Sequence, residues 1–471
     1  MMWTRFKRFM WVFDERFEDL KSDRWRSTVY RDFSAGLIVA MTAIPMAMGF
    51  AIAMGLRPEQ GIIAGALACI IGRTFGGSKY QVYGPTAAFI PVIAGLMAKY
   101  GEPGGGTFEQ GHGMLVLVSL LAGTILMAMG LLGLGKYAKL VPDSIIVGFT
   151  AGIALVIAMS NAGEALGMTL SIKGNLLTKL QEIAAQMNSA NWFACGLALL
   201  TFGLTRGLLK VSIFIPAPLI ALGISSLLAS WLFADQGIVL IKDRFGSIPT
   251  DFFVWTGPAM PAWEASVLLD IVYFTFAIVF VSAVESVLCS TMADRLADNR
   301  RSPFYPDKEL WGQGLVQVIT PLINGFPCTG ALARTATSIK AGAVTPLAGY
   351  FKGVLKLAMA ILLASYLEYV PMASIAGILL WVATNMIKPS EIRDVWKHSR
   401  FHAALMIYTA LMVPLTDFLT GVLSALIIYG VLRPWVERPA RARPAPDEPP
   451  RYWSRPVPVT AVEARQATGE V

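Results

Sequence analysis

This chain is poor in charge. Only 15% of its 471 residues are Asp, Glu, Lys or Arg, against 55% hydrophobic, a balance too apolar for an ordinary soluble domain and long enough for many membrane spans. The 39 basic and 31 acidic residues leave a net charge of +8. They crowd into the ends and short connectors rather than forming a stripe that could follow a phosphate backbone, so nucleic acid is not an expected partner. Cysteine is far sparser still: Cys69, Cys195, Cys289 and Cys328 lie in apolar segments without C-x-x-C spacing. Neither a disulfide framework nor a metal site finds support, and the thiols read as small core residues. No short apolar run with a small-residue cleavage site opens the chain, so no signal peptide is expected. Nucleophile motifs, a Walker loop and an ATP-binding segment are also missing, which argues against an enzyme, a primary pump or a cofactor. His112, His398 and His402 fall in loops or at interfaces and are assigned no chemistry.

What the chain has is apolar length. Spans of roughly 17 to 25 residues fall at 34–56, 114–134, 141–160, 191–207, 215–233, 265–288, 346–366 and 370–387. Shorter or Gly/Pro-broken candidates lie near 60–75, 82–98, 310–323, 329–341, 402–415 and 419–431, for a total of about fourteen. Broken backbone at membrane depth survives only where it is buried in protein or lines a cavity. An even count puts both termini on one side. Arg5, Lys7, Arg8, Arg24, Arg26 and Arg31 precede the first span and Arg433, Arg438, Arg441 and Arg443 follow the last, so the positive-inside rule makes both ends cytoplasmic. The chain then divides into a cytoplasmic segment (1–31), a transmembrane domain (32–435) and a Pro- and Arg-rich tail (436–471) whose composition forbids a packed core and predicts disorder. Helical spacing of Leu176, Leu177, Leu180, Ile183, Ala184 and Met187 predicts a short amphipathic helix on the outer interface.

Two broken segments stand out: Gln81-Val82-Tyr83-Gly84-Pro85-Thr86-Ala87-Ala88, and Gly325 through Ala336 with its Thr329-Gly330-Ala331-Leu332-Ala333-Arg334-Thr335. Each puts Gly, Pro and Thr before a small-residue helical run. A helix that starts inside the membrane leaves its first N–H groups unpaired and points a partial positive charge inward, so two such starts facing one another would hold an anion. A weak internal repeat, 34–98 against 265–341, would place both breaks at the midplane if the halves are inverted.

Arg334 lies one turn into the second half-helix, where a guanidinium normally faces a cavity or a partner. It reads as an oxyanion-binding fork or as a structural Arg paired with a carboxylate or an interface. Glu285 is the most isolated carboxylate in the chain and the natural proton-coupling candidate; a fixed ion pair with Arg334 or Lys340 is the other reading. Pro45 frees a carbonyl in the first span, and the kink could place Met46 and Phe50 on a cavity wall. Asp143, after Pro142, reads as an N-terminal helix cap.

In these stretches the chain resembles a sulfate permease (SulP) family anion transporter. The resemblance is carried by Asp32-Phe33-Ser34-Ala35-Gly36-Leu37 through Ile44-Pro45, Gly55-Leu56-Arg57-Pro58-Glu59-Gln60-Gly61, Tyr83-Gly84-Pro85-Thr86-Ala87, Gly148-Phe149-Thr150-Ala151-Gly152, Glu309-Leu310-Trp311-Gly312-Gln313-Gly314 and Pro327 through Gly349. It implies an all-α polytopic fold of about fourteen segments in a seven-plus-seven inverted repeat, with half-helices third and tenth, short extended strands beside them, and core and gate parts. It implies substrate contact from Thr86, Ala87 and Ala88 on the third helix and Ala333, Arg334 and Thr335 on the tenth. Glu285 matches the carboxylate of the eighth helix, where bicarbonate-type members hold sodium with a nearby hydroxyl. Here that position is Cys289, a poor ligand for a hard cation, and Arg334 stands where the sodium-coupled branch is uncharged. Both departures favour a proton or exchange over sodium. Met46 in place of Gln, and Ser160-Asn161 in place of Ser-Gln, prevent a direct transfer of substrate preference. The tail is too short for the family's cytoplasmic STAS domain of about 100 residues.

The resulting expectation is a secondary transporter of small anions in an inner or plasma membrane, sulfate first, with bicarbonate or a dicarboxylate as alternatives. It would work by an elevator motion with a proton as partner, and a homodimer is compatible with it. Three rivals stand beside it: an uncoupled anion channel or anion-binding scaffold, a sodium-dependent bicarbonate symporter, and a nucleobase permease, whose Gln/Glu-Asn-x-Gly pattern is missing from the tenth helix.

Overall fold

The computed structural model describes residues 2–436 apart from 169–175, 250, 260–263, 301 and 417. The tail expected from 436 onward thus lies, after its first residue, outside the described residues. The first half runs α1 (Met2–Met10), α2 (Trp25–Ala53), α3 (Pro58–Phe75), strand β1 (Tyr83–Gly84), α4 (Ile90–Tyr100), α5 (Phe108–Leu132), α6 (Asp143–Ala165), α7 (Leu176–Ala185), α8 (Trp192–Val211), α9 (Ala217–Trp231) and α10 (Ile241–Phe245). The second half runs α11 (Ala265–Leu296), α12 (Pro306–Leu322), strand β2 (Thr329–Gly330), α13 (Leu332–Lys340), α14 (Leu347–Leu367), α15 (Met372–Met386), α16 (Pro389–His398), α17 (Arg400–Leu415) and α18 (Phe418–Val436). Setting aside α1, α7, α10 and α16, fourteen segments remain, seven to each half, with a strand-led half-helix third in each set. Antiparallel pairing of β1 with β2 reflects the opposed direction of the halves.

Local sequence explains the starts. Pro58 opens α3 and Gln60 Oε1 accepts from Arg57 N at 3.0 Å; Thr107 and Gln110 form a reciprocal capping box on α5. Asn191 Oδ1 accepts from Phe193 N at 3.0 Å to cap α8. These are short polar side chains accepting orphan helix N–H groups. The first span begins at Trp25, nine residues ahead of the apolar run, because its polar first turns continue the helix; α2 therefore passes through residues 31 and 32 without a break.

Three expectations are corrected. Asp143 is the first residue of α6 and Pro142 holds the cap position, with no side-chain cap bond. His112 is buried in the first turns of α5, where Nε2 lies 3.1 Å from Gln60 Nε2 and 3.0 Å from the Gly325 carbonyl oxygen. His402 is buried in α17, with Nδ1 3.0 Å from Ser144 Oγ. Hydropathy alone cannot find such helix-embedded polar contacts.

The segments pack as two bodies. α2, α3, α4, α5, α11, α12, α13 and α14 contact one another around the two strands, whereas α6, α8, α15, α17 and α18 form the second body with α9. They meet where α2 touches α9 and α15 and where α4 touches α6. The N-terminal segment straps the first body: Lys308 Nζ lies 2.7 Å from Asp14 Oδ2 and Lys79 Nζ lies 2.5 Å from Asp19 Oδ2. Burial pushes the Asp14 carboxyl up, but Arg16 and Lys308 outweigh it and hold the group below the ordinary range.

α5 crosses α12 with the two backbones in close approach. A Cβ on Gly123 would lie 2.7 Å from the Gly314 carbonyl oxygen, and one on Gly314 would lie 2.6 Å from the Gly123 carbonyl oxygen. Small residues let membrane helices approach backbone to backbone. Gly314→Leu should therefore lower the thermal stability of the detergent-solubilised protein by about 1–3 kcal/mol, the usual overpacking cost. Gly223→Leu, with open space at its Cβ, should leave the melting curve in place. Equal melting of the two variants would show that the crossing is not tight.

Candidate anion site at the strand crossing

The two broken segments meet. Tyr83 pairs with Gly330 and Gly84 with Thr329; Ala331 N donates to Val82 O at 2.8 Å, and Val82 N to Thr335 Oγ1 at 2.9 Å. Gly84, at φ +156°, and Pro85, which has no N–H, end the pairing, and Thr86 is extended before the short 3-10 turn Ala87–Phe89. Neither this turn nor α13 carries a side-chain cap. Their leading N–H groups are thus left without the usual side-chain acceptor, as an anion-holding helix start requires.

Arg334 is only 5% exposed. Its Nη2 donates to the Pro85 carbonyl oxygen, and its Nη1 has no hydrogen-bond partner among the described residues. That Nη1 lies 3.0 Å from where a Cβ on Gly84 would be, so glycine there is what admits the guanidinium. Thr86 Oγ1 donates to Glu285 Oε2 at 2.9 Å, bringing the coupling candidate to the first half-helix. Among the described residues no ion pair joins Glu285 to Arg334 or Lys340.

The other named residues differ in setting. Ala87 and Ala88 are buried at the turn, while Ala333 is exposed. Thr335 is wholly buried, and its hydroxyl is engaged by Val82 N and by Cys289 Sγ at 3.4 Å. Phe50 is buried and Met46 half-buried in the apolar core; they sit on α2, which packs against both α4 and α13.

A second acid, passed over in the sequence reading, organises the ground behind the site. Glu309, in the first turn of α12, is fully buried. Its carboxylate accepts from Gly77 N at 2.9 Å, Ser78 N at 3.1 Å, Gln81 Nε2 at 2.8 Å, Tyr83 Oη at 2.7 Å and Ser286 Oγ at 2.5 Å. Five donors from the connector before β1, from β1 itself and from α11 thus converge on one carboxylate, which fixes the first broken segment to its neighbours. Gln317 does the same for the second: Nε2 donates to Cys328 O at 2.9 Å and Oε1 accepts from Cys328 N at 3.2 Å. Lys352 and Lys356 on α14 were also overlooked. Lys352 Nζ donates to Gly65 O at 2.7 Å and Tyr83 O at 2.9 Å, and Lys356 Nζ to Gly61 O at 3.0 Å. Asking which ionisable residues interrupt an apolar span would have found both lysines.

The same architecture is known elsewhere. The family model for the sulfate permease family matches residues 29–409. A Bacillus subtilis protein that carries the name of a sulfate transporter, YvdB, is 34% identical over 399 residues, covering 84% of this chain and 72% of that one. The solved transmembrane domain of a cyanobacterium bicarbonate transporter, BicA, superposes with a TM-score of 0.74 at 26% identity, covering 85% of this chain and 97% of that chain. Murine Solute Carrier 26 family member A9, an anion transporter solved in the inward-facing state, shares the fold at 16% identity, with a TM-score of 0.74 over 86% of this chain and 68% of that chain. With two inverted seven-segment halves meeting at paired broken helices, and a family match across most of its length, this polytopic membrane protein belongs to the sulfate permease family of transporters.

Proposed function

We propose that this transporter moves small anions, sulfate first among them, across an inner or plasma membrane with both termini cytoplasmic, by secondary active transport coupled to a proton or to a counter-anion. The observation that carries the reading is the uncapped pair of helix starts, crossed at β1 and β2, with Arg334 Nη1, which has no hydrogen-bond partner among the described residues, beside them. The site comprises Thr86, Ala87, Ala88, Ala333, Arg334 and Thr335, with Met46 and Phe50 on the α2 wall. Thr335 contributes through its backbone and as a support, since its hydroxyl is already engaged. The name carried by YvdB supports sulfate, and the likeness to BicA keeps bicarbonate as the second substrate to test. Division into two packed bodies supports an elevator motion, with the strand-bearing body moving against the other.

Coupling is assigned to Glu285 rather than Glu309 on their partners. Neutralising Glu309 would weaken five charge-assisted hydrogen bonds; neutralising Glu285 would weaken one, from Thr86. Proton binding and anion binding next to one carboxylate favour each other, and linkage makes the effect reciprocal. Sodium is disfavoured because the Cys289 thiol, engaged with Thr335, replaces the hydroxyl a hard cation needs.

Two outcomes test this. Arg334→Ala should fold and bind sulfate about 10- to 100-fold more weakly, the usual loss for charge-assisted hydrogen bonds. Unchanged affinity, measured by titration calorimetry, would remove Arg334 from the site. In proteoliposomes, Glu285→Gln should lose accumulation driven by an inward proton gradient while keeping anion exchange. A variant that still concentrates sulfate on a pH gradient alone would refute the coupling role, and sodium-dependent uptake by the wild type would favour the bicarbonate-type alternative.

A further inference from the structure

Lys352 and Lys356 are one helical turn apart on α14, so both present to the same side. They are 1% and 0% exposed. Among the described residues no carboxylate pairs with either. Among the described residues, the hydrogen bonds of both side-chain nitrogens go to backbone carbonyls: Lys352 to Gly65 O and Tyr83 O, Lys356 to Gly61 O. A buried cation without a counter-ion is costly at membrane depth, where ionisable groups ordinarily pair with one another or serve a pathway.

Their position is specific. A Cβ on Gly84 would stand 3.5 Å from Lys352 Nζ and 3.0 Å from Arg334 Nη1. A Cβ on Gly65 would collide with Lys356 Nζ and stand 3.0 Å from Pro85 Cδ. Three basic side chains therefore lie close to Gly84 and Pro85, the two residues that lead into the first half-helix. A neutral amide could hold the Gly65 and Tyr83 carbonyls equally well, so stapling α3 to β1 does not by itself account for a lysine there.

We propose that Lys352 and Lys356 are positioning residues that place a second layer of positive charge behind the anion site and so bias it toward dianions over monoanions. The inference rests on the anion-site reading given above. Neither lysine touches the anion; Lys352 acts through the Tyr83 carbonyl and the field it adds to that of Arg334. Coulomb energy scales with the product of the charges, so a remote cation contributes twice the free energy to a dianion that it contributes to a monoanion. The affinity factors are then related as a square. Direct hydrogen bonding carries no such relation.

The test is binding of sulfate and of nitrate, separately, to the full chain in detergent at fixed pH and ionic strength. Lys352→Gln keeps a donor for the carbonyls and removes the charge; Lys352→Arg keeps the charge. In Lys352→Gln the loss should be about 3- to 10-fold for nitrate and about 10- to 100-fold for sulfate, the second near the square of the first. Lys352→Arg should restore the wild-type ratio. A Lys352→Gln protein with the wild-type sulfate-to-nitrate ratio, whether both affinities fall together or neither moves, overturns the inference and leaves a staple. If that variant does not fold, Lys356→Gln, with one carbonyl to lose instead of two, is judged by the same ratio. Wild-type protein that binds neither anion overturns the anion-site reading and this inference with it.

Discussion

Everything in this molecule is arranged around a backbone break that the membrane forbids unless it is fully satisfied. Two short helices, α4 and α13, start behind buried strands inside a membrane-spanning fold, and the strands satisfy their backbone groups by completing one another. The Tyr83–Gly330 and Gly84–Thr329 pairs supply that completion with two residues from each half. So short a ladder cannot hold itself. It is held by polar side chains of a single helix, α12: Glu309 gathers the approach to β1, and Gln317 clamps the Cys328 peptide before β2. Asp32 on α2 accepts from Val344 N at 2.7 Å and Thr345 N at 3.1 Å, fixing the turn that follows α13. The polar interior of an otherwise apolar chain is thus spent on positioning two helix starts.

That economy explains which features were legible in the sequence. The spans were, because twenty apolar residues in a row have few other uses, and so were the broken segments, because Gly84-Pro85-Thr86 and Thr329-Gly330-Ala331 announce a restart before a small-residue run. Helix ends were less so: α2 begins nine residues early because polar Arg and Ser residues continue a helix that hydropathy cannot see. Glu309, Gln317 and His112 stayed hidden for a different reason. Their partners lie on other elements, Gln81 being 228 positions from Glu309, and a single sequence carries no trace of such a meeting. Lys352 and Lys356 were visible but submerged, two charges in a span whose mean hydropathy still reads 1.6.

Arg334 shows how the same residue type can be read two ways until its partners are known. As a structural Arg it would be expected to meet a carboxylate, and none among the described residues pairs with it. It bonds the Pro85 carbonyl oxygen instead and leaves Nη1 over, beside the helix starts. Cys289 is similarly resolved by its neighbour: its thiol faces the Thr335 hydroxyl, so the two groups nearest the expected cation position are occupied with one another and with Val82 N.

The distribution of charge then constrains how such a carrier could change state. Arg334, Lys352 and Lys356 are bound to carbonyls of β1, α3 and the Pro85 turn, all within one packed body; on the proposed elevator reading these groups travel together with that body. Glu309 is equally fixed by its five donors. Of the two carboxylates, Glu285 has a single tie among the described residues, to a hydroxyl that is itself on the first half-helix, and it retains partial exposure where Glu309 has none. On the proposed reading the charge carried between the two faces can therefore be adjusted at only two places, Glu285 and the anion site. A dianion offsets the fixed positive charge, and a proton on Glu285 removes the one negative group that would oppose the dianion's entry. Both adjustments act on Thr86, which links the carboxylate to the helix start, and this shared residue is the shortest physical route by which proton and anion could sense each other.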